Sequence, residues 1–330
     1  MQRFECPQCG VRLYFENSRC LVCATEVGFC PAERRMAPLA ERRSCAHRSG
    51  AALCNWLLGA DAPGELCASC ALTRTLPDLS GPDAADRYRR VEQDKRRLCF
   101  TLLQAGLGET MSAMRFDVLA DPQAVAGGAP AVSMGHADGL ITLSLAEADP
   151  GYRERTRSDL DESYRTVLGH LRHESGHFFF THLVAVDAAR LARFRDLFGD
   201  ERADYAAALE AHHAGRSRFD PARHVSRYAA AHPHEDWAET WAHLLHLLDT
   251  LETARGLRLD AGEGIVDDPW SAPDLTALLP QFARVVAVLN ELNRSLGHAD
   301  AYPFAPGPGA VEKLAFAHGL LPRAGAARSR

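Results

Sequence analysis

The chain has 330 residues, 46% of them hydrophobic and 24% charged, the balance of a globular protein with apolar material for one large domain and a small one, or for two domains. Its formal net charge of −6 gives no general reason to expect nucleic-acid binding, and no apolar run approaches the roughly 18 residues that span a bilayer. The start, "MQRFECPQCG", lacks the charged-then-apolar layout of a signal peptide, so the expected compartment is the cytoplasm, with no membrane partner.

Charge is unevenly spread. Residues 1–100 hold 15 Lys+Arg against 12 Asp+Glu, or +3; taken from the totals of 37 and 43, this leaves 22 against 31, or −9. The asymmetry sets an N-terminal module apart, but +3 is too weak to argue for DNA by itself. Nine of the ten cysteines lie in the first 70 residues. In a reducing compartment such clustering points to metal rather than to disulfides. "CPQCGVRLYFENSRCLVC" places Cys6-x2-Cys9 ten residues before Cys20-x2-Cys23. Two C-x-x-C turns supply four thiolates, which is a tetrahedral zinc site.

The second group is Cys30, Cys45, Cys54, Cys67 and Cys70. Cys67-x2-Cys70 is one clear turn, and its partners must come from the other three cysteines or from His47. Cys45 and Cys54 are the expected pair, because "SCAHRSGAALCNW" is a compact loop that can present both. Cys30 is then a spare thiol. So small a module is expected to have little core and to need its metals to fold. "TLPDLSGPD", residues 75–83, reads as the boundary that follows. The next stretch, "AADRYRRVEQDKRRLCFTLLQAG", is expected to be a helix whose basic residues form a solvated face and whose Cys99 is a buried free thiol.

"MRFDVLAD" (114–121) and "GLITLSL" (139–145) read as strands, joined by the loop "DPQAVAGGAPAV". From about Asp161 to Val184 the apolar period becomes helical, through Tyr164, Val167, Leu168, Leu171, Phe178, Phe179 and Leu183. This helix carries "HLRHESGHFFF", in which His173 and His177 stand one turn apart on one face, so both imidazoles can reach one ion. Glu174 points about 100° away, toward a water that it could deprotonate. The pattern H-E-x-x-H is short enough to arise by chance, so the rest of the chain must supply a third ligand. His170, one turn earlier, reads as exposed or as a support for a ligand, since three successive histidines would leave no open position.

"SRYAAAHPHEDWAETWAHLLHLLDTLETA" (226–254) supplies that third ligand. From Pro233 it reads as a helix with Glu235, Glu239 and His243 on one face, His246 close by, and Trp237, Trp241, Leu244, Leu245 and Leu248 as a packing surface. A catalytic zinc needs three protein ligands and an open position, commonly with one carboxylate from a second helix. Glu235 and Glu239 both fit, and spacing alone does not separate them. Beyond about residue 255 the chain reads as helical support, and "DLTALLPQFARVVAVLNELNRSLG" (274–297) has an apolar stripe expected to be core.

These stretches together resemble the bacterial zinc-binding metallopeptidases that carry an N-terminal zinc-ribbon region. The matching text includes "CPQCGVRLYFENSRCLVC", "CNWLL", "PDLS", "GLITLSLAEAD", "HLRHESGH", "FGDERADYAAAL", "YAAAHPHEDWAETWAHLLH", "LNELNRSLG" and "YPF", which covers nearly the whole chain. Cys30 departs from that family's usual residue, in keeping with a spare thiol. A more distant resemblance is to lethal-factor-like metallopeptidases, in which a tyrosine precedes a glutamate ligand by seven residues and another glutamate follows by four. Tyr228, Glu235 and Glu239 reproduce that spacing. The resemblance implies Glu235 as third ligand, Tyr228 as hydrogen-bond donor to the transition state, and Glu239 as the carboxylate that steadies a ligand histidine.

The expected fold is therefore α+β: a zinc-ribbon module at 1–76 with two structural zinc sites, then a zincin-like metallopeptidase domain at 84–330 with a mixed sheet beside the H-E-x-x-H helix. The expected activity is zinc-dependent peptide hydrolysis with Glu174 as general base, one catalytic and two structural Zn2+, and a peptide or protein as substrate. "GLITLSL" is the candidate edge strand for an extended peptide. The rival is a non-catalytic adaptor whose zinc ribbon binds nucleic acid or a protein while the body keeps a structural zinc.

Overall fold

Strands interrupted every few residues by C-x-x-C turns stay short. In the computed structural model of the chain, which describes residues 2–60, 62–120, 134–137, 139–153, 166–259 and 268–322, the N-terminal segment folds as two small antiparallel hairpins. Strand β1 (Phe4–Glu5) pairs with β2 (Arg12–Leu13), and β3 (Val27–Cys30) with β4 (Arg35–Pro38). The chain divides into two compact units, Met1–Glu154 and Arg155–Arg330.

In the first unit the hairpins surround an aromatic cluster of Phe4, Phe15, Phe29 and Trp56, all buried. Its fifth member, Phe100, comes from helix α1 (Ala84–Gln104), 5.1 Å from Phe15 and 5.5 Å from Phe29 between ring centroids. The ribbon's core is thus larger than its sequence announced, because α1 completes it. Gly28 is required here: a Cβ on it would lie 2.5 Å from the Asn55 carbonyl oxygen. Asn55 in turn donates from Nδ2 to the Phe15 carbonyl at 2.5 Å.

Helix α1 corrects a second expectation. Lys95 and Arg96 do not lie on a solvated face but are buried. Lys95 Nζ lies 2.6 Å from Glu92 Oε1, also meets Thr73 Oγ1, and stands 5.6 Å from the centroid of the Phe116 ring. A buried charge survives only when paired and hydrogen-bonded, and this one is both. Cys99 is buried as expected, and burial pushes its thiol up to about 11.

A four-stranded sheet runs in the order β5 (Thr73–Thr75), β6 (Arg115–Leu119), β8 (Leu140–Ser144), β7 (Met134–Ala137). The first three strands are parallel and β7 is antiparallel to β8. "GLITLSL" is therefore an interior strand, with Arg115↔Leu140 and Ala137↔Leu140 as its opening pairs on either side. The edges are β5 and β7. Alternating apolar residues mark a sheet strand but say nothing about how many neighbours it has, and the short β7 gave no such alternation. The expected loop at 121–132 lies outside the described residues.

The second unit is helical among its described residues. Helix α2 (Val167–Phe179) starts at Thr166, whose side chain accepts from the Gly169 amide, and continues into a π-turn at Phe180–Val184. The expected first turn of this helix, from Asp161, lies outside the described residues. It is followed by α3 (Ala188–Phe198), α4 (Tyr205–His213), α5 (Pro233–Leu257), α6 (Leu279–Ser295) and α7 (Pro308–Gly319). Pro233 stands in the first turn of α5, and His232 caps it by accepting from the His234 amide at 3.1 Å. Trp237, Trp241, Leu244, Leu245 and Leu248 are each 0% exposed, so α5 is the buried centre of the unit.

α2 lies directly against α5. A Cβ on Gly176 would stand 2.9 Å from Ala238 Cα and 3.2 Å from Trp241 Cβ. Trp237 Nε1 donates to the Gly176 carbonyl at 2.7 Å and Trp241 Nε1 to Ser175 Oγ at 3.1 Å. The stripe of α6 is core only in its first half. Phe282 and Val285 are buried, whereas Leu289, Leu292 and Leu296 are 38%, 58% and 74% exposed. With its preceding turn, Leu275–Ser295 is long and apolar enough by composition to cross a membrane, with a mean hydropathy of 1.2. Arg284, Glu291 and Arg294 interrupt its apolar residues, so it contains no long unbroken apolar run.

Candidate metal centres

Three groups of potential ligands converge among the described residues: Cys6, Cys9, Cys20 and Cys23; Cys45, Cys54, Cys67 and Cys70; and His173, His177 and Glu235. Within each group the donor atoms all lie within 4.8 Å of one another. Four sulfurs bound at about 2.3 Å to a tetrahedral zinc stand about 3.8 Å apart. The observed separations are 3.6 Å for Cys6–Cys23, 3.7 Å for Cys9–Cys20 and 3.6 Å for Cys54–Cys67. Both sets therefore fit the ion.

In the second set, backbone amides of Trp56, Cys67 and Cys70 donate to Cys54, Cys45 and Cys67 sulfurs at 3.4–3.5 Å. These contacts favour thiolates. The Cys54, Cys67 and Cys70 side chains push Cys45 far down, while Cys45, Cys54 and Cys67 push Cys70 far up. Four thiols this close cannot all carry charge without a cation, which is the condition a bound zinc satisfies. Cys30 stays outside the cluster, its Sγ 3.6 Å from Glu33 Oε1, and His47 is not part of it.

The third group joins the two packed helices. His173 and His177 project from α2 with ring centroids 5.0 Å apart. Glu235, in the first turn of α5, places Oε2 2.9 Å from His173 Nε2 and Oε1 3.6 Å from His177 Nε2. Donors bound at about 2.0 Å to one tetrahedral zinc stand about 3.3 Å apart, and the His173 Nε2–Glu235 Oε2 separation of 2.9 Å comes close to that. Glu239, one turn further along α5, does not enter the group. Its Oε1 accepts from His173 Nδ1 at 2.8 Å and its Oε2 from Ser226 Oγ at 2.5 Å. Spacing left these two glutamates equivalent. The helix start separates them, by turning Glu235 toward Nε2 and Glu239 toward Nδ1.

Burial alone would lower His173, but Glu235 and Glu239 outweigh it and hold the imidazole well above its usual range. Burial raises Glu235, and the His173 and His177 rings overcome that and hold it well below the carboxylate range. Glu239 is likewise held down to about 2, against burial, chiefly by His173. A pair of carboxylates thus surrounds a cationic position. A metal there displaces the imidazole proton.

Tyr228 lies in the Tyr228–Ala230 turn ahead of α5, its ring centroid 5.7 Å from that of His173. Burial, followed by the Glu235 charge, pushes its phenol far up, so it remains a donor at neutral pH. Glu174 is half-buried, and its charge acts on the phenols of both Tyr228 and Tyr205. His170 is half-buried and outside the donor group.

Two of the α5 histidines do other work. His243 Nδ1 lies 2.5 Å from the Tyr302 hydroxyl. His246 Nδ1 accepts from Arg172 Nη1 at 2.6 Å, and Arg172 Nη2 donates to Asp249 at 2.5 Å. Burial lowers both imidazoles, His243 to about 4, so each stays neutral. Sequence reasoning missed Tyr205, whose hydroxyl donates to Glu235 Oε1 at 2.7 Å, and Ser226. Neither sits at a motif spacing. The one signal for Tyr205 was its place in "FGDERADYAAAL".

Two tetrathiol clusters and a His–His–Glu group on facing helices define a zinc-binding α+β protein with an N-terminal zinc ribbon. Residues 84–320 match the family described as "Putative zinc-binding metallo-peptidase", and residues 3–81 match a zinc-ribbon domain. The chain belongs to that metallo-peptidase family. It is similar to uncharacterized proteins of Mycobacterium tuberculosis (strain ATCC 25618 / H37Rv) and Mycobacterium bovis (strain ATCC BAA-935 / AF2122/97). Each is 39% identical over 337 residues, covering 97% of this chain and 95% of the relative. No solved structure matches the chain.

Proposed function

We propose that the chain is a zincin-like, zinc-dependent metallopeptidase that hydrolyses peptide bonds in a peptide or protein substrate. The observation that carries this reading is the division of labour around His173: Nε2 faces the Glu235 and His177 donors while Nδ1 is tied to Glu239. A ligand histidine held by a carboxylate at its far nitrogen is a recurrent metal-site arrangement. Zinc bound by His173, His177 and Glu235 supplies Lewis acidity, polarising a carbonyl and making water a stronger acid near neutral pH.

The remaining steps belong to the chain. Glu174 takes the proton from water at its carboxylate as the oxygen attacks the peptide carbonyl, then returns a proton to the leaving amine. Tyr228 donates its phenol hydrogen to the carbonyl oxygen as negative charge develops there, a contact strongest in the transition state. Glu239 keeps a proton on His173 Nδ1 and so fixes which nitrogen faces the metal. The two tetrathiol clusters are structural in this reading, in a zinc-ribbon module at 1–76 preceding a peptidase domain at 84–330. A reducing, cytoplasmic location accords with cysteines grouped as metal ligands rather than as disulfides.

The test is a comparison of cleaved peptides in one cell extract treated with wild type and with Glu174→Gln. The amide cannot accept the proton, so peptides cut only by wild type are expected. Identical cleavage by both proteins would remove the mechanism.

A further inference from the structure

Glu235 has two carboxylate oxygens with different partners. Oε2 stands 2.9 Å from His173 Nε2, whereas Oε1 accepts from the Tyr205 hydroxyl at 2.7 Å and lies further off, 3.6 Å, from His177 Nε2. The side chain is 1% exposed, so each oxygen depends on protein or metal for its partners.

Both ends of the Tyr205–Glu235 contact are anchored to one place. Tyr205 is the first residue of α4, whose start is capped by Asp204 accepting from the Ala207 amide at 3.0 Å. Its ring meets the His232 ring edge-on at 5.2 Å. His232 caps the helix that carries Glu235, and its Nε2 donates to the Ala203 carbonyl at 3.1 Å. The loop before Tyr205 is held by Arg195, which donates to both oxygens of Glu201 at 2.9 and 2.5 Å. Gly199 opens it with φ +104°, where a Cβ would lie 3.3 Å from Pro233 Cγ. Phenol and carboxylate are therefore both held by protein contacts outside the donor group.

We propose that Tyr205 is a positioning residue that divides the Glu235 carboxylate between two tasks, tying Oε1 to its own hydroxyl so that Glu235 meets the metal through Oε2 alone. This rests on the reading of His173, His177 and Glu235 as ligands. One-oxygen binding by Glu235 leaves a coordination position open, whereas two-oxygen binding would fill it. Tyr205 is thus distinct from Tyr228, whose ring centroid lies 5.7 Å from that of His173.

The experiment compares full-length wild type and Tyr205→Phe after a mild chelator has removed the exchangeable metal and left the thiolate-bound zinc. Three quantities are read: zinc affinity by competition with a chromophoric chelator, the visible spectrum on adding Co2+, and the melting temperature of the metal-depleted protein. Tyr205→Phe keeps the ring packed on His232 and deletes only the hydroxyl. It should lose about 10–100-fold in zinc affinity. Its Co2+ bands should weaken toward those of a higher-coordinate ion, and its metal-depleted melting temperature should match wild type. Unchanged affinity and an unchanged Co2+ spectrum would overturn the proposal while leaving the ligand reading intact. An affinity loss accompanied by a lowered metal-depleted melting temperature would also overturn it, because a merely structural residue would do the same. Failure of wild type to take up an exchangeable zinc would overturn both the proposal and the ligand assignment.

Discussion

Gly176→Ala tests whether the distance between two helices sets the geometry of the metal site. The added Cβ would stand 2.9 Å from Ala238 Cα, a backbone atom with no side-chain freedom to move aside. Carbon atoms rest about 3.5–4.0 Å apart, so α2 and α5 must separate locally by roughly 0.6–1.1 Å. His173 and His177 ride on α2 and Glu235 on α5, so the separation passes into the donor group, where distances hold to about ±0.2 Å. Stability should change little by comparison. Overpacking costs about 1–3 kcal/mol, while replacing a helical glycine by alanine returns about 1 kcal/mol. The net is destabilisation of roughly 0–2 kcal/mol with a folded protein. Zinc affinity should fall about tenfold or more, and turnover at saturating zinc about 100-fold, as misplacement by 1 Å costs elsewhere. Chelator competition, peptide turnover and a melt of the metal-depleted protein measure these separately. A folded alanine variant with wild-type zinc affinity and turnover would refute the argument that helix approach at Gly176 sets donor spacing.

Glu235→Ala should abolish the exchangeable zinc and all turnover, because two histidines alone hold zinc poorly, whereas Glu239→Ala should weaken zinc about 10–100-fold and recover partial turnover at saturating metal; zinc loss in the second variant only would reverse the ligand choice. Tyr228→Phe should keep full zinc occupancy and lower kcat by about 10²–10³-fold with KM little changed, and an unaltered kcat in steady-state assays would remove it as oxyanion donor. Elemental analysis should find about three zinc ions per chain, one exchangeable, as the ligand counts imply; a single ion with freely titratable thiols would sink the two-cluster reading. Zinc added to the depleted protein at pH 7 should release protons, because the carboxylates hold metal-free His173 well above its usual range and the metal binds the unprotonated nitrogen. The sign follows that affinity falls as pH falls. Calorimetry in buffers of different ionisation enthalpy reads the release, and buffer-independent heats would contradict it.

The sequence by itself determined the ligand types and their local spacing. Cys6-x2-Cys9 and Cys20-x2-Cys23 must present paired thiols, and His173 and His177 must share a helix face, because the geometry of a turn or a helix is fixed over four residues. The α5 packing surface was equally legible, since Trp237, Trp241, Leu244, Leu245 and Leu248 repeat at helical intervals and all are buried. What the sequence left open were relations between elements. Glu235 and Glu239 look alike along one helix, and the helix start together with the packing of α2 on α5 turns one toward His173 Nε2 and the other toward Nδ1. "GLITLSL" reads as a strand with no sign of how many neighbours it has, and pairing on both sides made it interior. Lys95 and Arg96 carry charges that suit a solvated helix face, and burial beside Glu92 and Phe116 overrode that pattern. Tyr205 reaches Glu235 across thirty residues of chain, a distance at which no periodicity survives. Local spacing is written in covalent geometry, while these contacts arise only when separate helices, strands and loops exclude water together.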